Sequence, residues 1–241
     1  MKTPIALSLA LSMMLSGQVV AETVADMSVD DEAGEQQAEQ GEEVAFEPLY
    51  ETEPPQLAAI EIYEQDELIG WINQNQHLNR VKEDECQLVQ DIEARAEKVA
   101  IPAYEFLWGD MLAWGVCVEP DPELGVHYMW QAANQGLAAA LEQLGRYYAN
   151  GILVQRDYAK AIPLLREASA QGFLKAQLQF VELLVAGQGS PLDYEDGYRW
   201  LHHAIIADRA THKQAEQLLA ALASKMPAHV VAKAKASNQP Y

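Results

Sequence analysis

The second half of the chain repeats itself every 36 residues. Three sets of like residues mark this spacing: Gly115, Gly151 and Gly187; Asp121, Asp157 and Asp193; Ala132, Ala168 and Ala204. Self-similarity at a period of tens of residues is typical of stacked helical hairpins, in which each unit buries its apolar face against its neighbours. The spacing therefore predicts an all-α solenoid of antiparallel helix pairs, an architecture that more often binds partners than catalyses.

The unit over residues 140–172 has the clearest pattern. Small and bulky residues recur at helical spacing in its first half, and Gly151 ends that helix. A second helix is expected to begin near Asp157, a residue type suited to the N-cap, and to end at Gly172. We expect Pro163 to lie in about the first turn of this helix, where its missing N–H has no partner to lose.

Equivalent positions of the three units carry bulky apolar side chains, namely Trp108, Leu144 and Phe180; Leu112, Tyr148 and Leu184; Tyr128, Leu164 and Trp200. Small residues at Gly125, Ala161 and Gly197 allow the two helices of a pair to approach closely. The aromatic rings could form either the core or a ligand box, and we expect them to form the core.

The pattern A-x-x-x-L-G-x-x-Y-x-x-G, followed by D-x-x-x-A and A-x-x-x-G, resembles the Sel-one-like repeat, a relative of the tetratricopeptide repeat. The resemblance covers units at 104–136, 140–172 and 176–208, within a repeat region at 101–210, and is weakest in the last, where Asp208 replaces the closing glycine. It implies a curved, right-handed α-solenoid that serves as an interaction scaffold, without catalytic residues in the repeat itself.

The first 56 residues differ from the rest. Residues 1–21 combine a short charged start, an apolar stretch and a small-residue cleavage site, which predicts a secretory signal peptide; a retained membrane anchor is the alternative. Residues 22–56 hold 12 acidic residues and no Lys or Arg, which predicts a disordered leader that acts as a solubilising spacer or as a tether.

The charge balance limits the partners. The chain has a formal net charge of −20, of which −9 belongs to residues 57–241, with 24 acidic against 15 basic residues. Nucleic acids and anionic membranes require a basic surface, so both are disfavoured as partners.

The segments on either side of the three units are expected to be helical. Residues 57–100 are expected to form an N-terminal helical region, which can be read as a degenerate repeat with helices near 66–75 and 81–99. Five residues of this region lie at core positions of the frame: Leu68, Ile72, Gln76, Ile92 and Ala96. Residues 211–241 are expected to supply a capping helix at 211–223, followed by a short final helix or a tail.

The 36-residue spacing also predicts where the two cysteines lie in the stack. Cys86 lies where the first predicted unit passes between its helices, and Cys117 follows the turn at Gly115 of the next unit. Both turns lie on one edge of a solenoid, so a disulfide is sterically reasonable, and export would make it chemically reasonable. Two separate buried thiols are the alternative.

Motifs for chemistry are absent from the sequence, which contains no H-E-x-x-H, C-x-x-C, G-x-S-x-G or Gly-rich phosphate loop. His202 and His203 are adjacent, and neighbouring side chains on a helix point about 100° apart, so they are poorly placed to share a metal. We therefore predict no catalytic residues, no cofactor and no metal site.

Several segments outside the repeat pattern resemble the MotX family of periplasmic flagellar motor proteins. The segments are 68–72, 85–96, 106–118 with its Trp108-Gly109-Asp110, 140–148, 189–194 and 200–203. The resemblance spans about 57–233, and the acidic leader is its main departure. It implies a periplasmic protein of the flagellar basal body that forms a ring with a MotY-like protein and helps to recruit PomB-like stator units of the sodium-driven type.

Bulky side chains that the repeat does not need for packing are candidates for partner contacts, and they are Trp71, Trp114, Arg146, Tyr147, His202 and His203. Exposed aromatic and arginine side chains are the usual anchors of interfaces. The alternative functions are a secreted repeat protein that binds cell-wall fragments or inhibits a periplasmic enzyme, and a repeat-stabilised hydrolase that would need a carboxylate pair in a groove.

Overall fold

The computed structural model describes residues 63–237, and every regular element in that range is helical. The predicted signal peptide and acidic leader lie outside the described residues. The helices are α1 Gln65–Asn73, α2 His77–Glu83, α3 Val89–Ala94, α4 Pro102–Trp114, α5 Pro122–Asn134, α6 Ala138–Asn150, α7 Tyr158–Ala170, α8 Leu174–Val185, α9 Tyr194–His202, α10 Arg209–Ala223 and α11 Ala228–Ala236. A π-helical turn at Arg95–Val99 extends α3, and a 3₁₀ turn at Pro191–Asp193 precedes α9.

The first two units have the same local structure. Gly115 and Gly151 end α4 and α6 with φ of 63° and 73°, a left-handed conformation that favours glycine. The side chains of Asp121 and Asp157 then cap α5 and α7 by accepting from backbone N–H groups three residues further on. The backbone N–H of each aspartate also donates to a carbonyl of the preceding helix at 2.8 Å. Each pair is thus closed by locally encoded contacts.

The third unit differs at its turn. Gly187 has a φ of 76°, as the repeat requires, but Asp193 makes no side-chain cap and instead ends the 3₁₀ turn. The Ser190 hydroxyl accepts the N–H of Leu192 in its place. The helix α9 is shorter than α5 and α7, in agreement with the weaker repeat pattern here.

Successive helices pack into one core. The helix pairs α4 with α5, α6 with α7 and α8 with α9 pack directly, and α5 on α6 and α7 on α8 join the pairs into a stack. All nine bulky positions of the repeat frame are buried, so the aromatic rings among them belong to the core. The helices α4 and α5 approach closely at Gly109 and Gly125, where a Cβ on either residue would come within 2.7 Å of the backbone of the facing helix.

The region before the repeats is more broken than the sequence predicts. Three short helices and a π-helical turn replace the two helices expected near 66–75 and 81–99. Asn75 and Glu85, with φ of 57° and 54°, follow the ends of α1 and α2 and redirect the chain. Four of the frame's five core positions are buried, whereas Gln76 lies exposed between α1 and α2, so the prediction that it belongs to the core is wrong. The helices α1, α2 and α3 all pack against α4. This region closes one side of the stack.

A disulfide joins this region to the first unit. Cys86 and Cys117 are bonded, their Cα atoms are 5.6 Å apart, and both have a left-handed backbone. Cys86 follows α2 and Cys117 follows α4, so the bond ties the two turns together.

The helix α7 contains a proline at a position that the sequence analysis did not expect. Pro163 is the sixth residue of α7, so the expectation that it lies in about the first turn is wrong. Its ring is exposed, so the carbonyl that loses its partner lies on the solvent side of the helix.

The helices α10 and α11 pack on α8 and α9 and cover the end of the stack. Between residues 63 and 237, no helix is both long enough and apolar enough to cross a membrane.

Candidate partner-binding cleft

A cleft of about 410 Å³ lies between the α1–α2 connection and the first helices of the repeat units. One wall comes from the turn that carries Asn75 and His77. The other wall comes from α4, α6 and α8, whose polar side chains in the cleft are Asp110, Glu142, Gln143, Arg146, Lys175 and Gln179. Its volume falls in the range of ordinary ligand sites.

Asp110 is the centre of a buried hydrogen-bond network at the floor of the cleft. Its Oδ2 lies 2.7 Å from Nε2 of His77, and its Oδ1 accepts from Nε2 of Gln143 at 2.5 Å. All three side chains are buried. A buried carboxylate requires such partners, since an unpaired charge in the interior is costly. The network joins α2, α4 and α6 through a single side chain.

A similar hydrogen bond from a glutamine to a buried carboxylate recurs one unit further along the stack. Gln179 is 36 residues after Gln143, and its Nε2 donates to Oε1 of the buried Glu142 at 2.5 Å. Each glutamine therefore donates to a carboxylate on the preceding first helix of the stack. Arg146 adds a second donor to Glu142, with Nε 3.3 Å from the same oxygen.

Tyr147 is 1% exposed and anchors the network from within α6. Its hydroxyl accepts from Nε2 of Gln143 at 2.9 Å and from Nε1 of Trp114 at 3.2 Å. Burial, together with the nearby charge of Asp110, raises the pKa of Tyr147 to about 12, so the phenol stays protonated. The expectation that Tyr147 is an exposed contact residue is wrong, because the repeat packs this side chain inside the stack.

Trp114 and Arg146 lie at the open side of the cleft. Trp114 is 50% exposed and meets the Tyr147 ring edge to face at 6.4 Å. The Arg146 guanidinium carbon lies 5.0 Å from the centre of the Tyr147 ring, and its side chain is 34% exposed. Three of the six candidate residues are therefore clustered, two with accessible surface and one as their buried support.

The other three candidates lie outside the cleft. Trp71 is half-buried against Tyr63, with ring centres 5.1 Å apart, and under the guanidinium of Arg80. His202 and His203 lie at the other end of the chain, where both are exposed and their rings are 5.0 Å apart. Partial desolvation by its neighbours, then the neighbouring charge of His203, lowers the pKa of His202. The structure does not unite these residues with Trp114 and Arg146.

Sequence reasoning missed most of the polar residues that line the cleft, among them His77, Asp110, Gln143 and Lys175. Asp110 carries a signal, because it is the one charged residue in the otherwise apolar run from Phe106 to Leu112. The 36-residue spacing of Gln143 and Gln179 is a second signal. His77 has none, because it approaches Asp110 only through the tertiary fold. Over residues 63–237, no group of three or more His, Cys, Asp and Glu side chains is arranged to hold a metal ion.

Comparisons with known proteins agree with this architecture. The Sel1 repeat family model matches residues 102–137 and 138–173. Among solved structures, a protective antigen of uropathogenic Escherichia coli with an SLR fold is similar at a TM-score of 0.52 and 20% identity, over 71% of this chain and 36% of that one. A Sel1 repeat protein from Oxalobacter formigenes is similar at 0.45 and 22% identity, over 61% and 54% of the two chains. The family model and the helices of residues 63–237 together define this part of the chain as an all-α solenoid of Sel1 repeats.

A comparison with one named relative identifies the family within this class of repeat proteins. The sodium-type polar flagellar protein MotX of Vibrio parahaemolyticus is 57% identical over 178 residues, which are 74% of this chain and 84% of that protein. The chain belongs to the MotX family.

Proposed function

We propose that this chain is a non-enzymatic structural component of the bacterial flagellar motor. The observation that carries the proposal is the 57% identity to a sodium-type polar flagellar protein over most of both chains. A stack of helix pairs with a buried core is a rigid body well suited to hold other proteins in place.

The location follows from the same proposal. Residues 1–21 direct export, residues 22–56 form an acidic leader, and the repeat domain works in the periplasm at the flagellar basal body. An oxidising compartment suits the Cys86–Cys117 disulfide, since such bonds persist there and are rare in the cytosol.

The partners are a MotY-like ring protein and the periplasmic part of a PomB-like stator. The chain contributes to a ring with the first and helps to recruit and hold the second. Trp114 and Arg146 support this role, because an accessible aromatic ring beside an arginine is a typical interface anchor.

Deletion of the gene tests the role in the cell. We expect filaments to assemble without rotating, and fluorescently tagged stators to leave the flagellated pole. Complementation with the full chain restores both. Normal stator localisation in the deletion strain contradicts the proposal.

Co-purification with the MotY-like protein tests the surface. We expect Trp114→Ala and Arg146→Ala to weaken capture by roughly tenfold or more, in the range of interface anchors. Lys225→Ala, at an exposed position in the α10–α11 connection, is the matched control. Equal capture of all variants rejects this surface, and retention on peptidoglycan without the MotY-like protein favours a cell-wall ligand instead.

A further inference from the structure

We propose that the cleft beneath Trp114 binds an acidic peptide segment of a partner. This inference rests on the proposed scaffold role and names the chemistry of one contact. It follows from which charged side chains of the cleft are accessible to solvent and which are buried.

The anionic side chains of the cleft are buried and make internal hydrogen bonds. Both carboxylate oxygens of Asp110 accept hydrogen bonds, and Oε1 of Glu142 accepts two. Both residues are more than nine-tenths buried. A basic ligand would have to compete with these donors and enter a buried floor.

The cationic side chains are accessible. Lys175 is partly exposed and donates one hydrogen bond, from Nζ to the backbone oxygen of Asn73 at 2.8 Å. An ammonium has three N–H groups and a guanidinium has five, so Lys175 and Arg146 both retain donors for a ligand. Arg146 is also held in place by Glu142 and by Oε1 of Gln143, which fixes the direction of its fork.

Two further groups fit a peptide. Nδ1 of His77, which lines the cleft, is buried and has no hydrogen-bond partner among the residues that the structure describes. Trp114 offers half of its ring at the opening, where it can cover the apolar part of a bound segment. The cleft thus combines two cations, a buried polar atom and an apolar edge.

Specific binding at this cleft is testable because the net negative charge of the domain disfavours non-specific binding of an acidic peptide. Residues 57–241 carry a net charge of −9, so the domain as a whole disfavours binding of an acidic peptide. Binding at physiological salt that is lost on substitution of Lys175 or Arg146 therefore reports local recognition at the cleft.

The probe is a short fluorescein-labelled peptide rich in glutamate, titrated with the mature full chain and followed by anisotropy. A glutamine version and a lysine version of the same peptide are the comparisons. We expect the glutamate peptide to bind at least about tenfold more tightly than either, as charge-assisted hydrogen bonds predict. Lys175→Glu should abolish this preference, while Lys225→Glu, at an exposed lysine that does not line the cleft, should keep it. Arg146→Gln is the second variant, checked for folding by circular dichroism.

Equal binding of the glutamate and glutamine peptides overturns the inference, as does an equal loss in Lys175→Glu and Lys225→Glu. Tighter binding of the lysine peptide also overturns it. The motor role is judged separately by complementation of the deletion strain, which uses no peptide. Peptide recognition with failed complementation refutes the motor role alone.

Discussion

Nε2 of His77 lies 2.7 Å from Oδ2 of Asp110, and both side chains are buried. His77 is the first residue of α2, and Asp110 lies within α4, so this pair attaches the N-terminal helices to the first repeat unit. The same carboxylate accepts from Gln143 on α6. One residue therefore couples the N-terminal region to two units of the stack, at the floor of the cleft.

Loss of this pair should destabilise the protein. We expect His77→Ala to lower the free energy of unfolding by about 3 kcal/mol, because it leaves the Asp110 carboxylate buried with one partner fewer. Urea denaturation followed by circular dichroism measures the change, and His229→Ala, at an exposed histidine, should change it by less than about 0.5 kcal/mol. An effect of His77→Ala no larger than that control would show that the pair contributes little.

The disulfide should stabilise the chain mainly by restricting its unfolded state. Cys86 and Cys117 are 31 residues apart, and closing a loop of that length contributes about 3 to 4 kcal/mol in the chain-entropy model. We expect the double variant Cys86→Ser with Cys117→Ser to lose this amount in a denaturation experiment. Added reductant should lower the midpoint of the wild type and leave the double variant unchanged; sensitivity of both would point to another cause.

Replacing two different glycines by alanine should change the stability of the protein in opposite directions. In Gly109→Ala the new Cβ would lie 2.7 Å from the Gly125 carbonyl oxygen, and backbone yields poorly, so we expect a loss of about 1 to 3 kcal/mol. In Gly70→Ala, within α1, nothing lies within 4 Å of the new atom, so better helix propensity should add about 0.5 to 1 kcal/mol. Thermal melts of the two variants side by side check both signs. A destabilised Gly70→Ala would contradict the open environment of α1.

Glu105 should make stability depend on pH. This residue of α4 is buried, and burial raises the pKa of its carboxyl, although the hydrogen bond from Gln135 at 2.6 Å opposes the change. A raised pKa in the folded state means that its contribution to stability is fully present below the unfolded value, near 4.5, and is lost as the pH rises through the folded pKa.

We therefore expect Glu105→Gln to melt at a higher temperature than the wild type at pH 7, with a difference that shrinks below about pH 4.5. Differential scanning calorimetry over this pH range makes the measurement. Glu123→Gln, in the exposed first turn of α5, should show no such trend. A difference that is constant with pH would exclude ionisation of Glu105 as its origin.

The contact residues show where sequence reasoning failed. Trp114 and Tyr147 are both aromatic residues outside the repeat pattern, yet one is 50% exposed and the other 1%. Trp114 is the last residue of α4, whereas Tyr147 lies inside α6, where Gln143 and Trp114 both reach its hydroxyl. The chain pattern alone does not distinguish these surroundings.

The sequence by itself determined the helix pairs. Gly115 and Gly151 supply the left-handed turns, Asp121 and Asp157 supply the N-caps, and a 36-residue spacing of apolar residues supplies the core. These features act over a few residues, so a linear pattern contains them. Only the tertiary structure decided that His77 meets Asp110 and that Lys175 reaches Asn73, 102 residues away. Such contacts depend on how the short N-terminal helices pack across the stack. The turns at Asn75 and Glu85 set the directions of these helices, and these turns have no counterpart in the repeat.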